Sequence, residues 1–215
     1  MCSHFENVRS TEVLTDHFKI RDVPSEYSVD CWPGYTGLFL TAANEPQFEM
    51  AAHSGVFGMI PAWAKDPTIS RYTYNARVET VSEKPSYRDS WNRHQRCLVP
   101  AQAIYEPDWR SGQCTPTRIS RTDHHPLMVA GLWSQWLGPS GVVHSFTLLT
   151  INAEEHRLMN QFHRPTDEKR MIACIDKKDW EEWLCAPAHS SHLLRAFDPD
   201  DVQTTRIESR QKTLF

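Results

Sequence analysis

Short apolar runs, rather than long amphipathic stretches, set the hydrophobic pattern of this chain. Runs typical of strands lie at 36–42, 57–60, 96–106, 116–121, 127–137, 145–152, 171–175 and 202–209. Spacing typical of helices is confined to short segments at 10–20, 84–95, 153–161, 177–185 and 191–197. Because these helices interrupt the strands irregularly and hairpin-like pairs recur, the pattern predicts an α+β fold. Its core would be a mostly antiparallel, barrel-like sheet flanked by short helices.

Length and composition set the expected extent of this fold. No internal repeat or low-complexity linker divides the 215 residues, so we expect a single domain over 1–215. Hydrophobic residues make up 40% and charged residues 23%, as in an ordinary globular protein. No apolar run reaches the ~18 residues of a membrane span, and no signal peptide opens the chain. The expected location is therefore the cytoplasm, with no membrane partner.

Charge and cysteine content narrow the function classes. The formal net charge of −4 does not indicate a protein that binds nucleic acid through its overall charge, although a local basic cleft remains open. The six cysteines are scattered without a C-x-x-C pair. The histidines at 124–125 and 189–192 lack cysteines or carboxylates at ligand spacing. We therefore expect reduced thiols, no metal and no cofactor.

One cysteine stands directly behind the first methionine. Removal of Met1 would give Cys2 a free α-amine beside its thiol, with ordinary pKa values of about 7.7–8.0 and about 8.5. Both groups would then have a reactive fraction near neutral pH, and together they can close a five-membered thiazolidine ring on an aldehyde. Position alone does not distinguish such a residue from an incidental cysteine, because cysteine reactivity depends on the surroundings.

Three further segments carry polar side chains that suit a functional site. Asn75, Arg77 and Glu79 would share one face of an extended segment, which is either exposed or lines a site. Glu106 ends an apolar run among aromatic residues, where partial burial raises a carboxyl pKa and suits it to proton transfer. His163 lies in a loop before an apolar run, a position that suits general acid–base work. Each segment also fits a structural explanation, as a surface charge or a packed histidine.

Five short motifs occur in one order along the chain. They are MC at the start, GMIPAW at 58–63, NARVE at 75–79, YE at 105–106 and HRP at 163–165. Together they resemble the SOS-response-associated peptidase (SRAP) family, the abasic-site processing proteins, over essentially the whole chain. The fold class predicted above is also that of this family.

Three departures from the family pattern are visible. Ser3 and His4 stand where Gly-Arg is usual, Pro107 follows the glutamate where a tryptophan is common, and Asp30 replaces an asparagine. The lost arginine removes one expected contact with phosphate or substrate, which His4 would partly replace. None of these changes touches Cys2, Asn75, Glu106 or His163.

The resemblance implies a protein that binds single-stranded DNA containing abasic sites and protects them in the DNA damage response. Cys2 would form a covalent thiazolidine DNA–protein crosslink with the aldehyde of the lesion. Glu106 would shuttle protons, His163 would assist the proton transfers of the Schiff base, and Asn75 would orient the sugar and the N-terminus. Lyase-like or peptidase activity would follow from the same chemistry and from the family's historical label.

The resemblance also implies a set of DNA contacts. Arg77 and Arg164 would hold flanking phosphates, since a guanidinium fork matches phosphate geometry. Trp63 would act as a wedge against the unpaired base stack, and His4 would take part beside the nucleophile. The protein is expected to act as a monomer, associated with the nucleoid if bacterial.

Two other function classes remain open at this point. An N-terminal cysteine amidohydrolase or peptidase would use the same residue to attack an amide, and would need donors aimed at the developing oxyanion. A non-catalytic module that binds single-stranded DNA would make Cys2 incidental. Turnover of small amides without DNA would favour the first class, and DNA binding without any adduct would favour the second.

Overall fold

Long strands form the body of the molecule, as the apolar runs predicted. The computed structural model describes residues 2–43, 47–187 and 190–207. Within these ranges the strands are β1 (Phe5–Asn7), β2 (Asp30–Cys31), β3 (Thr36–Ala42), β4 (Met50–Phe57), β5 (Asn75–Arg77), β6 (Arg96–Asp108), β7 (Thr115–Arg121), β8 (Leu127–Gly138), β9 (Gly141–Asn152), β10 (Arg170–Ile172) and β11 (Val202–Arg206).

Five of these strands close into a barrel. The ring runs β3–β4–β9–β8–β6 and returns to β3 through the pairing of Leu40 with Leu98. Around this ring, β1 and β2 extend from β6, β7 and β11 extend from its far end, and β5 and β10 pair with β9. Only the pairings of β9 with β4 and β5 are parallel among the described strands. The predicted α+β fold with a mostly antiparallel, barrel-like sheet is therefore confirmed.

Helices are few and short in the described part of the chain. The α-helices are α1 (Arg88–Asn92) and α2 (Trp180–Cys185), and a π-helical turn spans Val13–His17. Turns of 3₁₀-helix occupy Pro67–Tyr72, Met159–Gln161, Lys177–Asp179, Ser191–Leu193 and Pro199–Asp201. No helix among the described residues is long and apolar enough to cross a bilayer.

Two predicted helices are wrong beyond a single turn. In 153–161, the Nδ1 atom of His156 accepts hydrogen bonds from the backbone N–H groups of Leu158 and Met159, so a side chain replaces the helical acceptors. In 191–197, the chain becomes extended after Leu193, and Arg195 instead pairs through its backbone with Cys174.

Three predicted strands have clearly different bounds. The strand expected at 171–175 is β10, which ends at Ile172. The strand expected at 57–60 is wrong after Phe57, the last residue of β4, because Gly58 adopts a φ of +118° and a Cβ there would collide with the carbonyl of Ser70. The strand expected at 202–209 ends at Arg206, and its last two residues lie outside the described ranges.

The core lies on the two faces of the barrel wall. Alternating residues of β3 show this, because Leu38 and Leu40 belong to one buried cluster and Phe39 belongs to the other. The first cluster contains Trp180 and Trp183 of α2 and therefore covers the outside of the barrel. The phenylalanine-rich second cluster fills the interior, and Cys2 belongs to it.

Arg96 joins the barrel to α2. Its side chain is only 2% exposed, and its guanidinium lies over the Trp183 ring at 5.2 Å. The Nη1 atom donates to the carbonyls of Trp183 and Ala186 at the end of α2, and to the Ser190 hydroxyl. A buried cation thus satisfies carbonyl groups that the short helix leaves without internal donors.

Candidate functional site

Strand β1 fixes the position of Cys2. β1 lies between β2 and β6, with Phe5 opposite both Cys31 and Ile104. The side chain of Asn7 strengthens this anchorage, since its Nδ2 donates to the Ser28 carbonyl at 2.6 Å and its Oδ1 accepts from the Leu38 N–H at 3.1 Å. Cys2, three residues before β1, is only 1% exposed.

Asn75 holds Cys2 from the other side of the site. Its Nδ2 donates to the Cys2 carbonyl at 2.7 Å, while the Tyr87 hydroxyl donates to the Asn75 carbonyl at 3.0 Å. The Oδ1 atom of Asn75 is buried and accepts no hydrogen bond from the residues that the structure describes. One end of this amide therefore orients Cys2, and the other is available to a donor on a bound molecule.

Glu106 and His163 form a buried pair beside Cys2. Glu106 on β6 is 1% exposed, and its Oε2 lies 3.2 Å from Nε2 of His163. A backbone hydrogen bond holds the two residues together. The backbone N–H of His163 donates to the carbonyl of Pro107, the residue after Glu106, at 2.9 Å. The charge of Glu106 also acts on the Cys2 thiol, so Glu106 is the member of the pair that couples electrostatically to Cys2.

Burial sets the protonation states of this site. It raises the pKa of Glu106 from 4.5 to about 7 and lowers the pKa of His163 from 6.5 to about 4. Burial, and then the charge of Glu106, raise the pKa of the Cys2 thiol. Near neutral pH the imidazole is therefore neutral, the thiol is protonated, and the carboxyl group exists in both forms. A group with both forms populated can donate and accept protons within one reaction.

A lysine that sequence reasoning missed holds the His163 loop. The Lys169 ammonium donates to three consecutive carbonyls, at 2.7 Å from Phe162, 3.3 Å from His163 and 2.8 Å from Arg164. His163 has a φ of +62°, a left-handed conformation that a non-glycine residue adopts at an energetic cost. In the sequence, Lys169 lies within a run of charges that is typical of a solvated surface, so no local signal identified it.

Tyr74 is a second residue near the site that the sequence did not single out. Its side chain is half-buried, and burial followed by the charges of Cys2 and Glu106 raise the pKa of its hydroxyl. Strict alternation would place Tyr74 on the face opposite Asn75. Tyr74, however, lies just before β5, which begins at Asn75, so the alternation of side chains along a strand does not fix its direction.

The expected shared face of Asn75, Arg77 and Glu79 is wrong. Strand β5 ends at Arg77 and a turn follows, so Glu79 is not part of an extended segment. Asn75 binds Cys2, Arg77 pairs with Glu168 at 2.7 Å, and both oxygens of Glu79 accept from Arg170. The two glutamate–arginine contacts instead tie β5 to the segment that leads into β10.

Three of the four residues expected to contact DNA, namely Trp63, Arg77 and Arg164, are exposed. Trp63 is 54% exposed, and its Nε1 donates to the Pro85 carbonyl at 3.3 Å. Arg77 is exposed and paired with Glu168, and the exposed guanidinium of Arg164 lies 4.8 Å from the ring centre of Trp109. These side chains are accessible to a ligand, in contrast to the buried catalytic candidates.

His4, the fourth residue expected to contact DNA, is largely enclosed by other side chains. Its ring lies between those of Trp32 and Tyr105, with both centroid distances at 4.0 Å. Its Nε2 is 3.4 Å from Oδ1 of Asp30. Burial lowers the pKa of His4, and the hydrogen bond and charge of Asp30 oppose that shift. Among the residues described, no group of three or more His, Cys, Asp or Glu side chains could hold a metal ion.

Known proteins resemble this chain in sequence and in fold. A family model described as "SOS response associated peptidase (SRAP)" matches residues 1–212. The chain is 33% identical over 161 residues to "Abasic site processing protein YoqW" of Bacillus subtilis (strain 168), covering 71% of this chain and 67% of that protein. It is 28% identical over 151 residues to "Abasic site processing protein HMCES" of Xenopus tropicalis, covering 60% of this chain and 43% of that protein.

Solved structures agree with these sequence matches. A crystal structure of a Bordetella bronchiseptica protein superposes with a TM-score of 0.87 and 34% identity, covering 97% of this chain and all of that one (100%). A Bacteroides thetaiotaomicron protein at 22% identity shares the fold, with a TM-score of 0.79. Because the family model spans almost the whole sequence and the relatives agree in fold, the chain belongs to the SOS response associated peptidase (SRAP) family.

Proposed function

We propose that this protein captures abasic sites in single-stranded DNA by forming a thiazolidine through Cys2. The observation that carries the proposal is the arrangement around Cys2. Its carbonyl is bound by Asn75 at 2.7 Å, and its thiol is under the charge of the buried Glu106, which lies 3.2 Å from His163. The names of the relatives, abasic site processing proteins, point to the same class of lesion.

The proposed reaction begins at the amine of Cys2 once Met1 has been removed. The neutral amine adds to the aldehyde carbon of the ring-opened abasic sugar and gives a carbinolamine. Loss of the hydroxyl as water then gives an imine. Glu106 in its acid form supplies the proton that leaves with the hydroxyl, and its pKa of about 7 keeps this form populated at neutral pH.

Ring closure uses the thiol of the same residue. Sγ adds to the carbon of the protonated imine and a carbon–sulfur bond forms, while the thiol proton passes to the Glu106 carboxylate, which thereby regains the proton it gave to the leaving water. The net change joins one aldehyde to one aminothiol with loss of one water, and no oxidant or reductant is needed. A thiol whose pKa is raised by burial needs such a base to become a nucleophile.

His163 and Asn75 have supporting roles in this proposal. The neutral His163 ring, 3.2 Å from Glu106, accepts or returns the proton that Glu106 exchanges. Asn75 positions Cys2 through its Nδ2, and its buried Oδ1 accepts a hydrogen bond from a sugar hydroxyl. Preorganised contacts of this kind raise the rate by fixing the reacting groups in place.

The surface side chains would bind the flanking strand. Arg77 and Arg164 would contact phosphates, for which Arg77 exchanges its ion pair with Glu168 for a phosphate oxygen. Exposed ion pairs stabilise a protein by about 0–1 kcal/mol, so this exchange is energetically accessible. Trp63, exposed at 54%, would stack against an unpaired base.

The decisive experiment is intact mass spectrometry of the purified protein mixed with a single-stranded oligonucleotide carrying one abasic site. We expect the free protein to lack Met1 and the adduct to equal protein plus oligonucleotide minus one water. A tetrahydrofuran analogue of the abasic site, which has no aldehyde, should give no adduct. Cys2→Ala should abolish the adduct, whereas substitution of the exposed Cys114 by alanine should leave it unchanged.

Cys2→Ser separates the two chemical steps. The variant retains the amine and loses the thiol, so we expect an imine that borohydride traps but no heat-stable adduct without borohydride. Retention of Met1 together with the absence of any adduct would overturn the proposal. Turnover of small amides would then support the amidohydrolase class, and reversible DNA binding alone would support a binding module.

A further inference from the structure

A column of three parallel rings adjoins Cys2 and has no role in the chemistry proposed above. Trp32 and His4 stack at 4.0 Å with an interplanar angle of 15°, and His4 and Tyr105 stack at 4.0 Å with an angle of 9°. The column is joined to the site by its backbone. The His4 carbonyl accepts from the Cys2 thiol at 3.5 Å and from the Tyr105 N–H at 3.0 Å, and Tyr105 precedes Glu106.

Trp32 forms the outer end of this column and is held in place by a tight turn. It is 43% exposed although it is one of the largest apolar side chains. The turn runs from Trp32 to Tyr35, whose N–H donates to the Trp32 carbonyl at 2.8 Å, and Gly34 has a φ of +90°. Pro33 and a glycine at positive φ are the residues that a type II turn requires. The exposed ring is therefore preorganised rather than adaptable.

The carboxylates around the column favour contact with an uncharged part of a ligand, such as a nucleobase, over contact with a phosphate. Asp30 lies 3.4 Å from the His4 ring and is 62% exposed, so its carboxylate repels an approaching phosphate. Glu6 accepts from the Tyr105 hydroxyl at 3.5 Å and pairs with Arg118 at 3.0 Å. The Nε2 edge of the His4 ring, which a phosphate contact would use, faces the Asp30 carboxylate at 3.4 Å, so His4 is poorly placed for the phosphate contact expected from the sequence. The surface that remains is an aromatic face.

We propose that the outer face of Trp32 stacks on the nucleobase next to the abasic sugar, an inference that rests on the proposed function. A base beside an abasic site has lost one stacking neighbour, and an aromatic face supplies a replacement whatever the base identity. His4 then acts as a spacer that ties Trp32 to Tyr105 and so to the strand that carries Glu106. Trp32 is a binding residue here and takes no part in the covalent steps.

The test uses an oligonucleotide in which 2-aminopurine flanks a tetrahydrofuran analogue, on one side or on the other. The analogue has no aldehyde, so fluorescence reports stacking without any covalent step. We expect wild-type protein to quench the probe on one side of the lesion. Trp32→Ala should remove this quench and weaken binding about 5- to 150-fold, the range measured for loss of one base–aromatic stack. Trp32→Phe should retain the quench and bind within about 3-fold of wild type.

Tyr35→Ala is the matched control, because Tyr35 is an exposed aromatic residue of the same turn. It should retain the quench. Equal losses in Trp32→Ala and Tyr35→Ala would overturn the inference, since they would show that the turn rather than the ring matters. An unchanged quench and affinity in Trp32→Ala would overturn it directly.

The two proposals can fail separately. If a natural abasic site gives the Cys2 adduct while Trp32→Ala leaves the quench unchanged, the stacking inference fails and the proposed function stands. If no adduct forms but the quench depends on Trp32, the covalent chemistry fails and the stacking surface stands.

Discussion

At the scale of single residues, the pair of Glu106 and His163 reverses the ordinary order of two pKa values. Burial raises the carboxyl pKa to about 7 and lowers the imidazole pKa to about 4. The carboxyl group therefore holds a proton at pH values where the imidazole does not. This inversion makes Glu106 the acid of the pair, and it also couples the pair to folding stability.

Glu106→Gln is predicted to change the pH dependence of stability. The folded pKa of Glu106 lies above its unfolded value, so the stabilisation is fully present below about pH 4.5 and is lost as the pH rises through about 7. Glutamine does not titrate. From pH 5 to pH 8 the variant should therefore gain about 2–3 kcal/mol in free energy of unfolding relative to wild type, measured by urea denaturation.

His163→Gln should show the opposite trend. The folded pKa of His163 lies below its unfolded value of 6.5, so its stabilisation is present above that value and is lost as the pH falls towards about 4. Relative to wild type, this variant should gain stability on acidification. Parallel pH curves for wild type and both variants would show that the two groups titrate normally and are not buried as described.

The rate of adduct formation should depend on pH through the titration of the Glu106 carboxyl group. We expect the wild-type rate to change between pH 6 and 8, where Glu106 titrates, and Glu106→Gln to be slower by about 10²–10⁴-fold with this inflection removed. Affinity for the tetrahydrofuran oligonucleotide should stay near wild type. Quench-flow kinetics across pH 5–8 provide the measurement, and an unchanged rate in the variant would remove Glu106 from the mechanism.

At the scale of elements, Lys169 controls the geometry of the loop that presents His163. Lys169→Met removes a donor from three consecutive carbonyls, one of them that of a residue at φ +62°. We expect adduct formation to slow by about 10- to 100-fold through misplacement of the imidazole. Lys169→Arg, which can donate to the same carbonyls, should restore much of the rate.

Lys178→Met provides the control for lost surface charge, because Lys178 is exposed in the turn before α2. It should react at the wild-type rate. The pH profile separates an effect on the site from general instability, since a His163 ring that is displaced and freed from the Lys169 charge should titrate closer to its ordinary pKa. Lys169→Arg, which keeps the charge, separates displacement from loss of that charge. A Lys169→Met variant with a wild-type rate and pH profile would exclude a positioning role.

The elements that sequence patterns predicted well are the long ones. Strands such as β6, β8 and β9 carry enough residues for burial to leave a clear hydrophobic pattern. Strands β1 and β2 have three and two residues and no period to detect, although β1 determines where Cys2 lies. The helix expected at 153–161 failed because the His156 side chain takes the backbone donors.

At the scale of the whole molecule, Arg96 couples the barrel to its outer layer. Arg96→Met keeps most of the apolar stem but leaves the Trp183 and Ala186 carbonyls without this donor. We expect a loss of about 2–4 kcal/mol in free energy of unfolding, because unsatisfied buried acceptors retain their desolvation penalty. The exposed Arg93 provides a control, and Arg93→Met should change stability by less than about 0.5 kcal/mol in the same urea titration.

The assembly of the site is a property of the complete fold. Asn75 binds Cys2 across 73 positions of sequence, and Glu106 meets His163 through the pairing of two distant segments. Local patterns indicated that each residue was unusual, and the ordered motifs indicated that they belong together. Neither could reveal Lys169 or the stacking of Trp32 on His4, because those contacts depend on how loops close over the barrel.

The anchorage of β1 determines how a tethered DNA strand would pull on this protein. With DNA joined to Cys2, tension would run along β1, which is hydrogen-bonded to β2 on one side and β6 on the other. Force in that direction shears both ladders at once, together with the Asn7 bonds to Ser28 and Leu38, instead of peeling them one by one. A motor moving along the DNA strand would therefore have to detach β1 from both neighbouring strands at once before it could clear the protein.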